Sequence, residues 1–197
     1  MAQQKKTELV SQLKKSYSTI SNGLKRAMAQ DGVSKLEDTT LFSKAPAWGE
    51  NNPEFLAEFS KIFQVSRAYA QGEIMRQEPH EDLVSYTYLN NSGPNRPSNA
   101  ESSVVILNDG SILYPQFNTD GTGNVIVDVN GAKKPNQWGR DVFTFIVHNN
   151  GNVVPYGIGE ADFRWDTSPY GQILCTPGNA GEGCAGRIME QGWEMKY

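Results

Sequence analysis

Residues 6–32 read KTELVSQLKKSYSTISNGLKRAMAQDG, and the spacing of their apolar side chains decides how the remainder can fold. Val10, Leu13, Tyr17, Ile20, Leu24 and Ala27 recur at alternating steps of three and four, one stripe of an α-helix. Gln12, Lys14, Lys15, Ser18, Ser21, Asn22 and Lys25 occupy the opposite face. The pattern predicts an unbroken helix from Lys6 to Ala29, stopped where Asp31-Gly32 supplies a C-terminal cap. At about 1.5 Å of rise per residue such a helix spans roughly 35 Å. Part of its stripe must pack on the rest of the domain.

Further along, Asn52-Pro53-Glu54 offers an N-cap, a proline at the first helical position and an acid for the helix dipole. Phe55, Phe59, Ile62 and Phe63 follow at helical spacing, which predicts a short core-forming helix. Beyond residue 83 the period changes from 3.6 to 2. Strands are expected at Leu83–Leu89, Ser103–Leu107, Ser111–Phe117, Asn124–Val129, Asp141–Val147 and Asn152–Tyr156. Asn108-Asp109-Gly110, Asn130-Gly131 and Asn149-Asn150-Gly151 punctuate them as turns. Pro115 points to an edge or a bulge. Connections this short imply an antiparallel meander, because a parallel crossover needs about a dozen residues. Asn90–Ala100 reads as a loop, and residues 157–197 as loop-rich with a short helix near Ala185–Glu190.

The expected fold class is therefore α+β: a long N-terminal amphipathic helix on an antiparallel meander of about four to six strands. One domain is expected over residues 1–197. Its parts are the helix (1–32), a variable helix and loop region (33–100), the sheet (101–156) and a C-terminal disulfide region (157–197).

The 197 residues carry 18 basic and 22 acidic side chains, for a net charge of −4. That balance leaves no broad cationic face for a phosphate backbone, so nucleic acid is excluded as a partner. Basic residues do gather early, at Lys5, Lys6, Lys14, Lys15, Lys25 and Arg26. They read as a solvated helix face, or as a segment that lies just outside a membrane. No apolar run reaches the roughly 18–20 residues of a spanning helix, and mean hydropathy is −0.54.

Cys175 and Cys184 are the two cysteines. They lack the spacing and the nearby histidine of a zinc site, which leaves a local disulfide or two free thiols. A disulfide would imply an oxidising compartment.

Catalytic motifs are absent. His80 and His148 stand alone, no G-x-S-x-G, H-E-x-x-H or phosphate-binding loop occurs, and Gly157-Ile158-Gly159 lacks the rest of a dinucleotide fingerprint. No enzymatic activity is expected. Between Asn118 and Asp141 oxygen-bearing side chains recur near glycine turns, and Asp120, Asp128, Asn130 and Asp141 form a candidate calcium set. The same residue types also build hairpin turns, and no glutamate closes an EF-hand pattern. No resident cofactor is expected; calcium is the one ion the pattern admits.

Three stretches resemble prepilin-like proteins of type IV pili and type II secretion pseudopili. They are Gln4 to Ser21 (QKKTELVSQLKKSYSTIS), Asp128-Val129-Asn130-Gly131 with Pro135-Asn136 and Gly139-Arg140-Asp141-Val142-Phe143, and Arg187 to Tyr197 (RIMEQGWEMKY). The resemblance implies a structural subunit, major or minor pilin or pseudopilin, of an extracytoplasmic filament. It implies other pilin subunits as partners through the N-terminal helix. It also implies an inner-membrane anchor in a hydrophobic half-helix upstream, and a cell-surface or periplasmic location. The alternative is a secreted carbohydrate-binding or adhesive β-domain, with Trp48, Trp138, Trp165 and Trp193 as stacking platforms.

Overall fold

A computed structural model describes residues 2–45, 52–70, 85–93, 103–159 and 161–197. Helix α1 runs Gln3–Asp31, and Gly32 (φ 67°) turns its amide back onto the carbonyls of Met28 and Ala29. The helix begins three residues before the expected start, since Gln3, Gln4 and Lys5 are all good helix formers. Leu9, Val10, Leu13, Ser16, Ile20, Gly23, Leu24 and Ala27 are buried along it. Tyr17 is partly buried, with its ring 5.7 Å from Phe145 and 5.8 Å from Trp193. The expected stripe is the packing face.

Two short helices follow, α2 (Thr40–Ser43) and α3 (Pro53–Ile62). The Asn52 side chain accepts from the amides of Glu54 and Phe55, as the N-cap reading requires. Phe55 and Phe59 sink into the core beside Phe117.

Six strands form one sheet in sequence order: β1 (Val65–Tyr69), β2 (Val104–Leu107), β3 (Ile112–Phe117), β4 (Gly123–Asp128), β5 (Val142–Val147) and β6 (Val153–Pro155). Every neighbouring pair is antiparallel. Pro115 does not mark a sheet edge: β3 is a central strand, and Pro115 stands opposite Val125 of β4.

Two expectations need correcting. β1 lies within the region read as helix and loop; it is an edge strand whose exposed Ser66 and Arg67 break any apolar alternation. Within the segment expected as a strand over Leu83–Leu89, the described residues form bridges at Tyr86 and Thr87, the latter parallel to Gln137, rather than a named strand; Leu83 and Val84 lie outside the described residues.

Alternation along the strands splits the apolar side chains between two faces. Leu113, Phe117, Val125, Val127, Phe143, Phe145 and Val147 meet α1, α2 and α3 in the main core. Ile112, Tyr114, Ile126 and Val142 point to the opposite face, where Tyr69, Tyr86, Val104 and Trp138 complete a second, smaller core. At the C-terminal end, α4 (Cys184–Glu190) packs on β5 and β6, and a disulfide joins Cys175 to Cys184. Among the described residues no helix is long and apolar enough to cross a membrane.

Candidate functional site

The second core ends in polar chemistry. β4 closes on Asp128, whose side chain follows Ile126 onto the far face, and the chain then turns through Asn130-Gly131. Gly131 adopts φ 66°, and a Cβ there would run into the Gly110 carbonyl, so the turn admits only glycine. The chain returns through a cis Lys134–Pro135 bond and Asn136 at φ 51° to reach Asp141 just before β5.

Asp141 organises this loop. Its carboxylate accepts from the amides of Asn136 (2.9 Å) and Gln137 (2.6 Å). The Gln137 side-chain amide donates to the Tyr88 carbonyl and to Asn91 Oδ1, both at 2.9 Å. The Trp138 amide donates to the Thr87 carbonyl at 2.9 Å. Residues 87–91 and 136–138 are thereby tied together. Above them, the Tyr86 and Tyr114 hydroxyls lie 2.7 Å apart and both rings are buried.

Asp128 and Asp141 are both fully buried, and neither meets a basic side chain among the described residues. Burial, reinforced by the charge of Asp141, pushes Asp128 up to about 8; the Tyr86 phenol and the amides of Asn130 and Gly131 pull the other way. Burial likewise raises Asp141 to about 6, against the pull of the Gln137 and Asn136 amides. Burial is also the main cause that raises Tyr86 and Tyr114. Asp128 accepts the Asn130 amide through one oxygen (3.2 Å), while its Oδ2 has no hydrogen-bond partner. The Asn130 side chain stands beside Asp141, yet neither its oxygen nor its nitrogen closes a hydrogen bond. The side-chain oxygen of Asn136 and Nε1 of Trp138 are unpartnered as well.

Of the four candidate calcium residues, the structure brings Asp128, Asn130 and Asp141 together and leaves Asp120 apart. Asp120 sits in the exposed turn before β4, holding the amide and hydroxyl of Thr122, at the opposite end of the strand from Asp128. Among the described residues no three His, Cys, Asp or Glu side chains converge on a metal-sized centre. What converges is the two carboxylates of Asp128 and Asp141, with the Asn130 side-chain amide beside Asp141. Such a set can be neutralised by a proton or by a hard divalent cation, and by little else. Sequence reasoning found Asp128, Asn130 and Asp141 but missed Tyr86, Tyr114, Gln137 and Trp138. Apolar residues at both parities in β3 and β4 were the available signal that both sheet faces are covered.

The other candidates fall elsewhere. His148 is exposed at the end of β5, and His80 and Trp48 lie outside the described residues. Trp138 is 3% exposed and offers no ring face to a sugar. Trp165 and Trp193 pack their rings against the main core. Cys175 and Cys184 form the expected disulfide, and Gly139 is packed directly against the Cys184 sulfur. No family model, curated protein or solved structure matches this chain.

Proposed function

We propose that this chain is the extracytoplasmic domain of a structural subunit in a type IV pilus-like or type II secretion filament. The observation that carries the reading is the placement of α1. One stripe of the helix is consumed by the sheet, and along the other Gln4, Thr7, Ser11, Lys14, Lys15, Ser18, Asn22 and Lys25 face solvent. A single helix that covers its own sheet and keeps a continuous second face free suits a subunit that stacks helix against neighbour.

Two further features support it. The disulfide that closes the C-terminal segment belongs to oxidising compartments. Among the described residues α1 is the one long helix and it precedes the whole meander, so an upstream continuation of α1 would leave the sheet fold undisturbed. In this reading a hydrophobic half-helix ahead of Gln3 anchors the subunit in the inner membrane before assembly. The carbohydrate-binding alternative is weakened by the burial of Trp138.

The decisive experiment is to read the gene upstream of Gln3 and to follow the cellular product. A cleavable leader with a hydrophobic half-helix, and disulfide-trapped oligomers from Ser11→Cys or Ser18→Cys in cells, are the expected results. A coding sequence without that segment sinks the proposal.

A further inference from the structure

Among the described residues the two large apolar side chains that stand furthest into solvent are Phe163 and Tyr170, 50% and 48% exposed. Their rings lie 6.5 Å apart, so they form one aromatic knob rather than two scattered residues. Asp162 flanks the knob, exposed and without an ion-pair partner among the described residues. The segment is held rigidly: Arg164 spans Asp166 and Glu190, and the Trp165 amide donates to the Gly157 carbonyl. Two half-exposed rings in one place make a contiguous apolar surface, the kind of feature that marks a contact site when it is large enough.

A receiver exists on the same molecule. Between α1 and the start of β1 lies a half-open groove of about 290 Å3. Ile62, Phe63 and Leu107 form its apolar floor, and Lys15 and Arg26 of α1 form its wall. An aromatic ring needs about 150 Å3, so the groove has room for one ring with part of a second. Lys15 is engaged by Asp109, also at the rim, but Arg26 is exposed and makes no ion pair among the described residues. The groove is thus apolar beneath and cationic above; the knob is apolar at its tip and anionic at its side.

The two surfaces cannot meet within one molecule. The groove borders β1 and β2, whereas the knob is tied to α4, which packs on β5 and β6 at the other edge of the sheet. They can meet only between copies, head to tail. A contact of that type does not close on itself and generates an open chain.

We propose that the Phe163–Tyr170 knob of one copy docks into the α1–β1 groove of the next, with Asp162 facing Arg26 across the contact. This rests on the reading of the chain as a self-assembling subunit and names the lateral partner surface in that assembly. Because the contact is small and partly electrostatic, it is weak and salt-sensitive in isolation.

The test is sedimentation of the wild-type chain up to about 1 mM, the range in which weak contacts are populated, at low and high salt. The expected result is a mass that rises with concentration at low salt and falls back as salt is added. Phe163→Ser should abolish the rise. So should Arg26→Glu and Asp162→Lys, each alone. An equimolar mixture of those two charge variants should restore the concentration-dependent rise as an alternating chain, because the knob of each variant then faces an oppositely charged groove on the other. All three substitutions sit on exposed side chains, and unchanged melting curves will show that the fold is intact. A wild-type chain that stays monomeric throughout overturns the interface. So does association insensitive to Phe163→Ser, which would give the groove to some other segment, or a charge-variant mixture that fails to associate. The filament reading fails on the upstream gene sequence instead, so the two can be told apart.

Discussion

Asp128 pairs with Val142 across β4 and β5, which sets its carboxylate beside that of Asp141 in a region with no basic side chain among the described residues. Two buried like charges cannot both stay ionised cheaply. The fold resolves this by giving Asp141 two backbone amides and leaving Asp128 to hold a proton up to about pH 8.

That arrangement predicts an inverted pH dependence. Asp128 is raised to about 8 in the folded chain against 3.8 when free, so between those values the native state binds the extra proton. Stability should then fall as pH rises from about 4 to 8, with a limiting slope of about 1.4 kcal/mol per pH unit, and level off above. Asp141, raised to about 6, adds to the slope over the lower half of the window. Carboxylates held low, such as Asp120 by Thr122 and Glu37 by Lys35, act in the opposite sense and only in more acidic solution. Urea melts at pH 5 and pH 8 measure the difference. Asp128→Asn, which mimics the protonated form, should remove about half of it, since Asp141 and the partly buried Glu182, raised to about 7, supply the rest; a variant as pH-sensitive as wild type would contradict the assignment.

A hard cation is the second way to neutralise the pair. The unpartnered oxygens of Asp128 and Asn130 beside Asp141 are of the kind that calcium takes. Millimolar calcium in chelator-treated buffer is expected to raise the melting temperature and to remove the slope between pH 5 and 8. Free ion at a hundred times its dissociation constant would contribute about 2.7 kcal/mol. Asp128→Asn and Asn130→Ala should each lose the response, whereas Asp120→Asn should keep it. An unchanged melting temperature in wild type assigns these residues to turn formation alone.

What the sequence made legible, and what it hid, follows from how each element is buried. α1 was readable almost residue by residue, because a single wet face and a single dry face leave a clean 3.6 period. The turns were readable because Asn130-Gly131 and Asn149-Asn150-Gly151 carry the backbone chemistry of their own hairpins. The far face was not. Ile112 and Tyr114 lie on one side of β3 while Leu113 and Phe117 lie on the other, so both parities are apolar and alternation names neither. The segment that covers this face, residues 85–91, is held by amide contacts from Gln137 and Trp138 and by bridges at Tyr86 and Thr87, too short a pairing to show a period. β1 escaped because Ser66 and Arg67 face solvent on an edge. Asp128 and Asp141 stood out as residue types, but their burial depends on that hidden cover.

Gly23 is the one buried glycine of α1, and the reason is Phe63. A Cβ at Gly23 would overlap the Phe63 ring, which is itself stacked on Phe59 with centroids 4.2 Å apart and is only 4% exposed. Alanine would add about 1 kcal/mol of helix propensity, but overpacking costs about 1–3 kcal/mol. Gly23→Ala is therefore expected to be neutral to destabilising, and Gly23→Leu strongly destabilising. Phe63→Leu should recover part of the loss in a double variant. A stabilised Gly23→Ala would show that the ring yields freely.

Arg187 holds the C-terminal segment closed. Its guanidinium stacks 5.1 Å from the Trp165 ring and 4.8 Å from the Tyr197 ring, and donates to the Cys175 carbonyl. Tyr197, the last residue, in turn donates through its hydroxyl to the Gly139 carbonyl (2.5 Å), beside the disulfide. A planar guanidinium is needed to lie between two rings and still reach a carbonyl. Lysine keeps the charge but loses that geometry, so Arg187→Lys should cost about 1–2 kcal/mol, the scale of desolvated cation–π contacts. Removing the disulfide in Cys175→Ser/Cys184→Ser should cost about 2–3 kcal/mol by relaxing the constraint on the unfolded chain. Since both devices close one segment, the triple variant should lose less than the two costs combined. Guanidinium melts of the wild type and these variants complete the cycle. Strict additivity would mean that the arginine and the disulfide hold separate parts of the fold.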